Sequence, residues 1–271
     1  MPQTIFITGC SSGIGQAIAL HFAAERWNVV ATMRNPDDAG PLADKENIIT
    51  PRLDMTDRAS ITSGVETATD RFGSIDVLVN NAGFAVIGAL EAVSAEQIEQ
   101  QFSVNVLGTI AMTQAVLPHF RTQQSGTIIN ISSVVGRYTY PLGSIYDASK
   151  FAVEGFSEAL RFELEAIGAR IKIIEPGLIA SDFGSRSMQF AHNPELTSYG
   201  PVVAAMGAMA QTFADRAEPA EVVAQVVWDA VHDTAPTLRY PAGQAAIASL
   251  KEREDVDDLT FYTNTKERFG L

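Results

Sequence analysis

Short, continuous apolar runs alternate along this chain with longer stretches of helical periodicity. Thr4 to Thr8 (TIFIT) is a β-branched and aromatic run that ends at Gly9. From Gly13 to Arg26, residues Ile14, Ile18 and Phe22 recur at helical spacing among alanines. Further apolar runs follow at Asn28 to Met33, Ile48 to Ile49, Ile75 to Val79, Thr127 to Ile131 and Ile171 to Ile174. Continuous rather than alternating runs are what strands covered on both faces look like. Between them, Ala59 to Phe72, Ala95 to Phe120, Ser144 to Ile167 and Pro219 to His232 read as helices. The alternation predicts right-handed βαβ units, hence an α/β fold with a parallel sheet and helices on both faces. Ser181 to Phe213 breaks the rhythm, with Met188, Phe190, Met206, Met209 and Phe213 among small and polar residues. It predicts an insertion at about 181–215 over the strand ends. No repeat or low-complexity linker divides the 271 residues, so a single domain over 1–271 is expected.

Composition narrows the function. Hydrophobic residues make up 46% of the chain and charged residues 19%, which is a globular composition with material for a large core. The net charge is −13 and the pI about 4.7, and no Lys/Arg block relieves it. Such a surface repels nucleic acid and anionic membranes. The acidic cluster from Glu252 to Asp258 is expected to be a solvated face or tail. Cys10 is the one cysteine, which excludes an intrachain disulfide and fits a reducing compartment. Met1-Pro2-Gln3-Thr4 lacks the basic start of a signal peptide, and no apolar run approaches the ~20 residues of a membrane span. A soluble cytoplasmic protein is expected. His21, His119, His192 and His232 show no metal-ligand spacing, so no metal is expected.

The strongest local signal is TGCSSGIG, Thr8 to Gly15, between a predicted strand and a predicted helix. Gly9 permits a sharp turn, while Gly13 and Gly15 let the backbone approach a pyrophosphate and the neighbouring strand. The helix N-terminus then offers free N–H groups and partial positive charge to phosphate, with the Ser11 and Ser12 hydroxyls beside it. Cys10 reads as a small loop residue. In NAD sites an acid at the end of the second strand bonds the ribose hydroxyls. Here that strand ends Ala31-Thr32-Met33-Arg34, and a guanidinium can fork onto a 2′-phosphate. The expected cofactor is therefore NADP(H), although Asp37 and Asp38 lie close by.

Tyr146 and Lys150 stand four residues apart at the start of a helical segment, on one face. A neighbouring ammonium favours the phenolate of a tyrosine otherwise near pKa ~10. Ser133 lies thirteen residues upstream of Tyr146, after a predicted strand, where it can donate to a substrate oxygen. Ser132 is the alternative partner, and the thirteen-residue spacing favours Ser133.

With NNAG at Asn80–Gly83, Asn105, ISS at Ile131–Ser133 and Pro176-Gly177 in order, these residues resemble the short-chain dehydrogenase/reductase superfamily, over roughly residues 4 to 181. The wording FITGCSSGIG and KFAVEGFSEALRFEL resembles the branch with hydroxysteroid and retinol dehydrogenases. The resemblance implies a doubly wound Rossmann-type fold of about seven strands in the order 3-2-1-4-5-6-7. It implies that Tyr146 exchanges the proton with the substrate oxygen and Ser133 polarises the carbonyl. Lys150 would bond the nicotinamide ribose and lower the Tyr146 pKa, and Asn105 would kink its helix and hold a relay water. Asp54 would bond the adenine amine with Met55 beside it, and Asn81, Ala82 and Gly83 would line the adenosine side. Pro176, Gly177 and Ile179 would approach the nicotinamide, with Ser181 where many members carry threonine. It also implies a homodimer or homotetramer. The expected activity is NADP(H)-linked interconversion of a ketone or aldehyde with an alcohol. The Met- and Phe-containing insertion points to a bulky apolar substrate. An NAD-linked alcohol dehydrogenase, a non-catalytic NADP(H) sensor and an idle scaffold are the alternatives.

Overall fold

Successive residues of the first strand face two different hydrophobic layers. The computed structural model describes residues 2–181 and 183–271. In β1 (Thr4–Ile7), Ile5 and Ile7 join one layer and Phe6 the other. β2 (Asn28–Ala31) repeats this with Val29 and Ala31 against Val30, and β4 (Val77–Asn80) with Val77 and Val79 against Leu78. Both faces are apolar, so both need helices. Ile18 and Phe22 of α1 (Gly13–Ala24) and Val223 and Val227 of α7 (Ala220–His232) cover the first. The second is covered by Ile61 of α2 (Arg58–Phe72), Met112 and Phe120 of α4 (Thr109–Gln123), and Leu160 and Leu164 of α5 (Ser144–Glu165). Each such side chain contributes ~1.5–3 kcal/mol on burial.

With β3 (Ile48–Ile49), β5 (Gly126–Ile131), β6 (Ala169–Pro176) and β7 (Arg239–Ala242), numbering only the central sheet, the order is β3-β2-β1-β4-β5-β6-β7. All pairs are parallel. This is the doubly wound Rossmann-type sheet that the resemblance implies. The winding reverses between β1 and β4, which opens a crevice at the carboxyl ends of the strands.

Several elements depart from the sequence reading. The helix expected over Ala95 to Phe120 is α3 (Ala95–Phe102) and α4, joined by a π-helical turn at Ser103–Gly108 that contains Asn105. β7 reads RYPA, an edge strand in which proline is tolerated and little apolar signal survives. The acidic Glu252–Asp258 stretch is not a tail. It ends α8 (Gln244–Asp255) and begins α9 (Asp258–Phe269). Arg268 bonds both Glu252 oxygens at 2.6 and 2.7 Å, and Arg253 pairs with Asp258. In the insertion, Met188–Phe190 pairs with Ala85–Ile87, and α6 (Gly200–Asp215) lies largely on the surface. No helix of the described residues is long and apolar enough to cross a membrane.

Candidate active site

The glycine loop folds as its residues require. Gly9 and Gly13 hold φ of +74° and +58°, in the left-handed region that favours glycine. A Cβ on Gly9 would stand 2.9 Å from Ala82 Cα, and one on Gly15 would collide with the Gly9 carbonyl oxygen. The end of β4 locks this loop. Thr8 Oγ1 accepts from the Asn81 and Ala82 N–H groups at 3.0 Å, and Asn81 Nδ2 donates to the Thr8 and Gly9 carbonyls at 2.9 Å. The Asn81 amide thus braces the glycine loop, a role the sequence reading missed. Ser12 is the N-cap of α1 without a side-chain capping bond, and Ser11 and Ile14 are half-buried beside it. The first-turn amides therefore have no side-chain acceptor in the cap, which is the condition for anion binding. Buried Cys10 bonds the Ile7 carbonyl at 3.4 Å, and burial pushes its thiol far up. It is no nucleophile.

Beyond β2, Arg34 is exposed. Of the two acids near it, Asp38 faces Arg186 at 4.0 Å and the Asp37 N–H bonds Asn35 Oδ1. Asp54 is half-buried and accepts from the N–H and hydroxyl of Thr56 at 2.9 and 2.7 Å. Those bonds, with smaller help from Arg34 and Arg52, hold its carboxyl below the usual range. The Met55 side chain is buried in the core against Gly108, which leaves only its backbone toward the cofactor position expected there. Gly83 meets the Asn105 amide, where a Cβ would lie 3.2 Å from Oδ1.

Asn105 is buried in the π-turn. Its amide donates to the Phe84 carbonyl at 2.9 Å and to Ser149 Oγ at 3.2 Å, and it accepts from the Phe84 N–H at 3.1 Å. Ser133 follows β5 and bonds the Pro176 carbonyl at 3.4 Å. It also shares a hydrogen bond with the Tyr146 hydroxyl. Ser132 is buried, with its Oγ beside Gly136 and without a hydrogen-bond partner among the described residues. Lys150 Nζ donates to the Ile131 carbonyl at 2.9 Å and lies 5.8 Å from the Tyr146 ring centroid. Burial lowers Lys150 to about 8, with Glu154 opposing. Tyr146 is pushed up, by burial first and the Asp147 charge second, while Ser133 pulls it down. Lys150 is not among the groups that lower it, in contrast to the expectation, and desolvation of the phenol dominates. Gly177 packs on Ala246, half-buried Ile179 pairs with Glu218, and Ser181 meets the glycine loop at Gly13. Contacts thus join the glycine loop to Ala82 and Ser181, Gly83 to Asn105, Asn105 to Ser149 beside Lys150, and Ser133 to Pro176 and Tyr146.

The sequence matches the short chain dehydrogenase family over residues 3–192. The chain belongs to this family. An oxidoreductase of Schizosaccharomyces pombe is 38% identical over 239 residues, which is 88% of this chain and 100% of the relative. The 17-beta-hydroxysteroid dehydrogenase type 1 of Homo sapiens is 31% identical, covering 97% of this chain and 84% of the relative. A short-chain dehydrogenase from Streptomyces avermitilis superposes with a TM-score of 0.84 at 29% identity, over 100% of this chain and 97% of that one. Structures with this fold hold NADP in one case and NAD in another. Among the described residues, no group of three or more His, Cys, Asp or Glu is placed to hold a metal.

In this short-chain dehydrogenase, Asp147 is a site residue that pattern reading missed. It follows Tyr146, is 2% exposed, and accepts from the Tyr140 N–H at 3.1 Å. Burial raises its carboxyl to about 7. Its unfolded value is ~4, so the folded state binds the proton more tightly and stability falls as pH rises from ~4 through 7. Asp147→Asn, which keeps an acceptor for Tyr140, is expected to melt a few degrees higher than wild type at pH 8. The gap should close below pH ~4. An equal gap at both pH values in thermal melts would contradict this.

The far wall is aromatic. Tyr138 and Tyr140 join hydroxyls at 2.9 Å, and Tyr138 packs on Phe261 of α9 with ring centroids 5.4 Å apart. Tyr140 meets Phe213 of α6 at 6.1 Å and Phe269 of α9 at 5.8 Å. α6 and α9 therefore converge on the cluster that includes Tyr146.

Proposed function

We propose that this protein is an NADP(H)-dependent reductase and dehydrogenase of bulky apolar ketones, aldehydes and alcohols, with Tyr146 as its acid/base. The observation that carries the proposal is the half-buried Tyr146, its hydroxyl hydrogen-bonded to Ser133, with Lys150 one turn further along α5. The residues present fit a dinucleotide. Gly9, Gly13 and Gly15 leave the backbone bare where side chains would collide, and the start of α1 presents N–H groups toward a pyrophosphate. Ser11, Ser12 and Ile14 would hold the phosphates, Asp54 and the Met55 backbone the adenine, and Ala82 and Gly83 the adenosine side. Lys150 and Tyr146 would hold the nicotinamide ribose, and Pro176, Gly177, Ile179 and Ser181 the nicotinamide. When bound, the cofactor supplies the hydride.

The protein manages the oxygen. Burial keeps the Tyr146 phenol protonated near neutrality, which is the form a reduction needs. As charge builds on the substrate oxygen, Ser133 and Tyr146 stabilise it by hydrogen bonds, and Tyr146 delivers the proton. Asn105 fixes Phe84 against Ser149, one residue before Lys150, and in this reading also holds the relay water to Lys150. The aromatic wall of Tyr140, Phe213 and Phe269 favours a large apolar substrate.

Cofactor choice rests on Arg34, exposed at the end of β2 while Asp38 is turned to Arg186. Arg34→Ala is expected to weaken NADPH binding at least about tenfold, the scale of one charge-assisted contact, and to leave NADH unchanged. Equal losses for the two cofactors in a fluorescence titration would remove Arg34 from phosphate recognition. The activity itself is tested by NADPH oxidation across ketones from acetone to steroid size. Turnover that rises with apolar bulk supports the proposal, and turnover confined to the smallest members contradicts the pocket.

A further inference from the structure

Behind Lys150, on the side away from Tyr146, lies a buried cluster of charges that the proposed chemistry does not use. Glu154 stands one turn after Lys150 on α5 and is 4% exposed. Its Oε2 accepts from Arg239 Nε of β7 at 2.9 Å, and the same nitrogen lies 3.6 Å from Glu175 Oε1 of β6. Arg137 reaches Glu175 at 3.1 Å, and Arg239 Nη2 reaches exposed Glu158 at 2.7 Å. The other oxygen, Glu154 Oε1, has no hydrogen-bond partner among the described residues, and neither has Ser132 Oγ. Both border Gly136, where a Cβ would stand 2.7 Å from Ser132 Oγ and 3.2 Å from Glu154 Oε1. Ser132 follows Ile131, whose carbonyl takes the Lys150 ammonium at 2.9 Å. Glycine at 136 thus lets Glu154 and Ser132 pack close against the backbone, one residue from the carbonyl that holds the lysine.

We propose that Glu154, one turn beyond Lys150 on the same face of α5, is a positioning residue that keeps Lys150 charged through space, from beyond direct ion-pair distance, with its Oε2 tied to Arg239 and its Oε1 unpartnered beside Gly136. A buried carboxylate with one oxygen uncompensated is costly unless a nearby cation offsets it. Lys150 needs the same help, because burial pulls it down to about 8 with the Glu154 charge already opposing the fall. The groups around this pair are Tyr146 and Glu158 on α5, Ser132 after β5, Arg137 in the following loop, Glu175 on β6 and Arg239 on β7. Arg137 and Arg239 compensate Glu175, and Arg239 also takes Glu154 Oε2, so Glu154 Oε1 is the oxygen left without a direct partner. The importance of this pairing of charges rests on Lys150 acting as proposed above, but its test does not use turnover.

The chain has five lysines, Lys45, Lys150, Lys172, Lys251 and Lys266, so side-chain carbon-13 labelling gives a spectrum simple enough to follow by NMR. The Lys150 signal is the one lost in Lys150→Met. In Glu154→Gln, its titration midpoint is expected to fall by about one pH unit or more, the scale of losing one close opposite charge. Glu154→Asp retains a carboxylate for Arg239 but draws it back from Ser132, and should give a smaller fall in the same direction. It also serves if the glutamine variant does not fold. Glu158→Gln removes an exposed member of the same cluster and should leave the midpoint unchanged. An unmoved Lys150 in the Glu154 variants would overturn the proposal. So would an equal fall in Glu158→Gln, which would show a diffuse field rather than one partner.

Discussion

Tyr146→Phe is expected to lower turnover by about 10²–10⁴-fold, the usual contribution of a positioned acid/base, while NADPH affinity stays within a few-fold of wild type. The substitution deletes one oxygen and keeps the ring, which packs with Val134, Tyr138 and Tyr140 in the cluster beneath the C-terminal helices. The fold therefore has no reason to respond. What is lost is the hydroxyl that Ser133 orients and that burial holds in its protonated form. Stopped-flow turnover and a fluorescence titration of NADPH check the two halves separately. A variant with near-wild-type turnover would remove Tyr146 from the chemistry, and one that binds no NADPH would make its role structural.

The second large effect falls on Gly15. An alanine there would drive its methyl into the Gly9 carbonyl and the Asn81 amide, which are backbone and brace rather than the far end of a flexible side chain. Relief requires the loop to leave the position fixed by Thr8 and Asn81. Overpacking of this kind costs ~1–3 kcal/mol, and here the loss falls on the phosphate loop itself. Gly15→Ala is expected to melt several degrees lower and to lose NADPH binding at least about a hundredfold, since several backbone contacts move together. Gly184→Ala, with nothing within 4 Å of the added carbon, is the matched control and should change neither. Wild-type NADPH affinity in Gly15→Ala would show that the cofactor does not sit on this loop.

The features most legible in the sequence were those in which chemistry fixes residue type at short spacing. The glycines must sit where φ is positive or backbones touch, and Tyr146 and Lys150 must share a helix face. Both can be read within eight residues. The buried strands were legible for a similar reason, since doubly covered strands are apolar throughout. β7 was not, because an edge strand can carry Arg239, Tyr240 and Pro241. The C-terminal helices were hidden by their charge. Glu252 and Arg268 read as solvated residues until the turn at 256–257 brings them into contact. Asn81, Asp147 and Glu154 depend on partners from other elements. Arg239 lies 85 residues from Glu154, and no local pattern encodes such a distance. The joining of Phe213 and Phe269 on Tyr140 is likewise a product of topology alone.

Hydride exchange with a bulky carbonyl is followed by isotope transfer. NADPH deuterated at nicotinamide C4 would be incubated with the enzyme and a steroid-sized ketone, and the alcohol examined by mass spectrometry. One deuterium is expected on the carbinol carbon per NADPH consumed on the transferring face, with no label formed by Tyr146→Phe above its residual rate. Alcohol formed without deuterium from either face of the nicotinamide, or an equal yield from the phenylalanine variant, would contradict it.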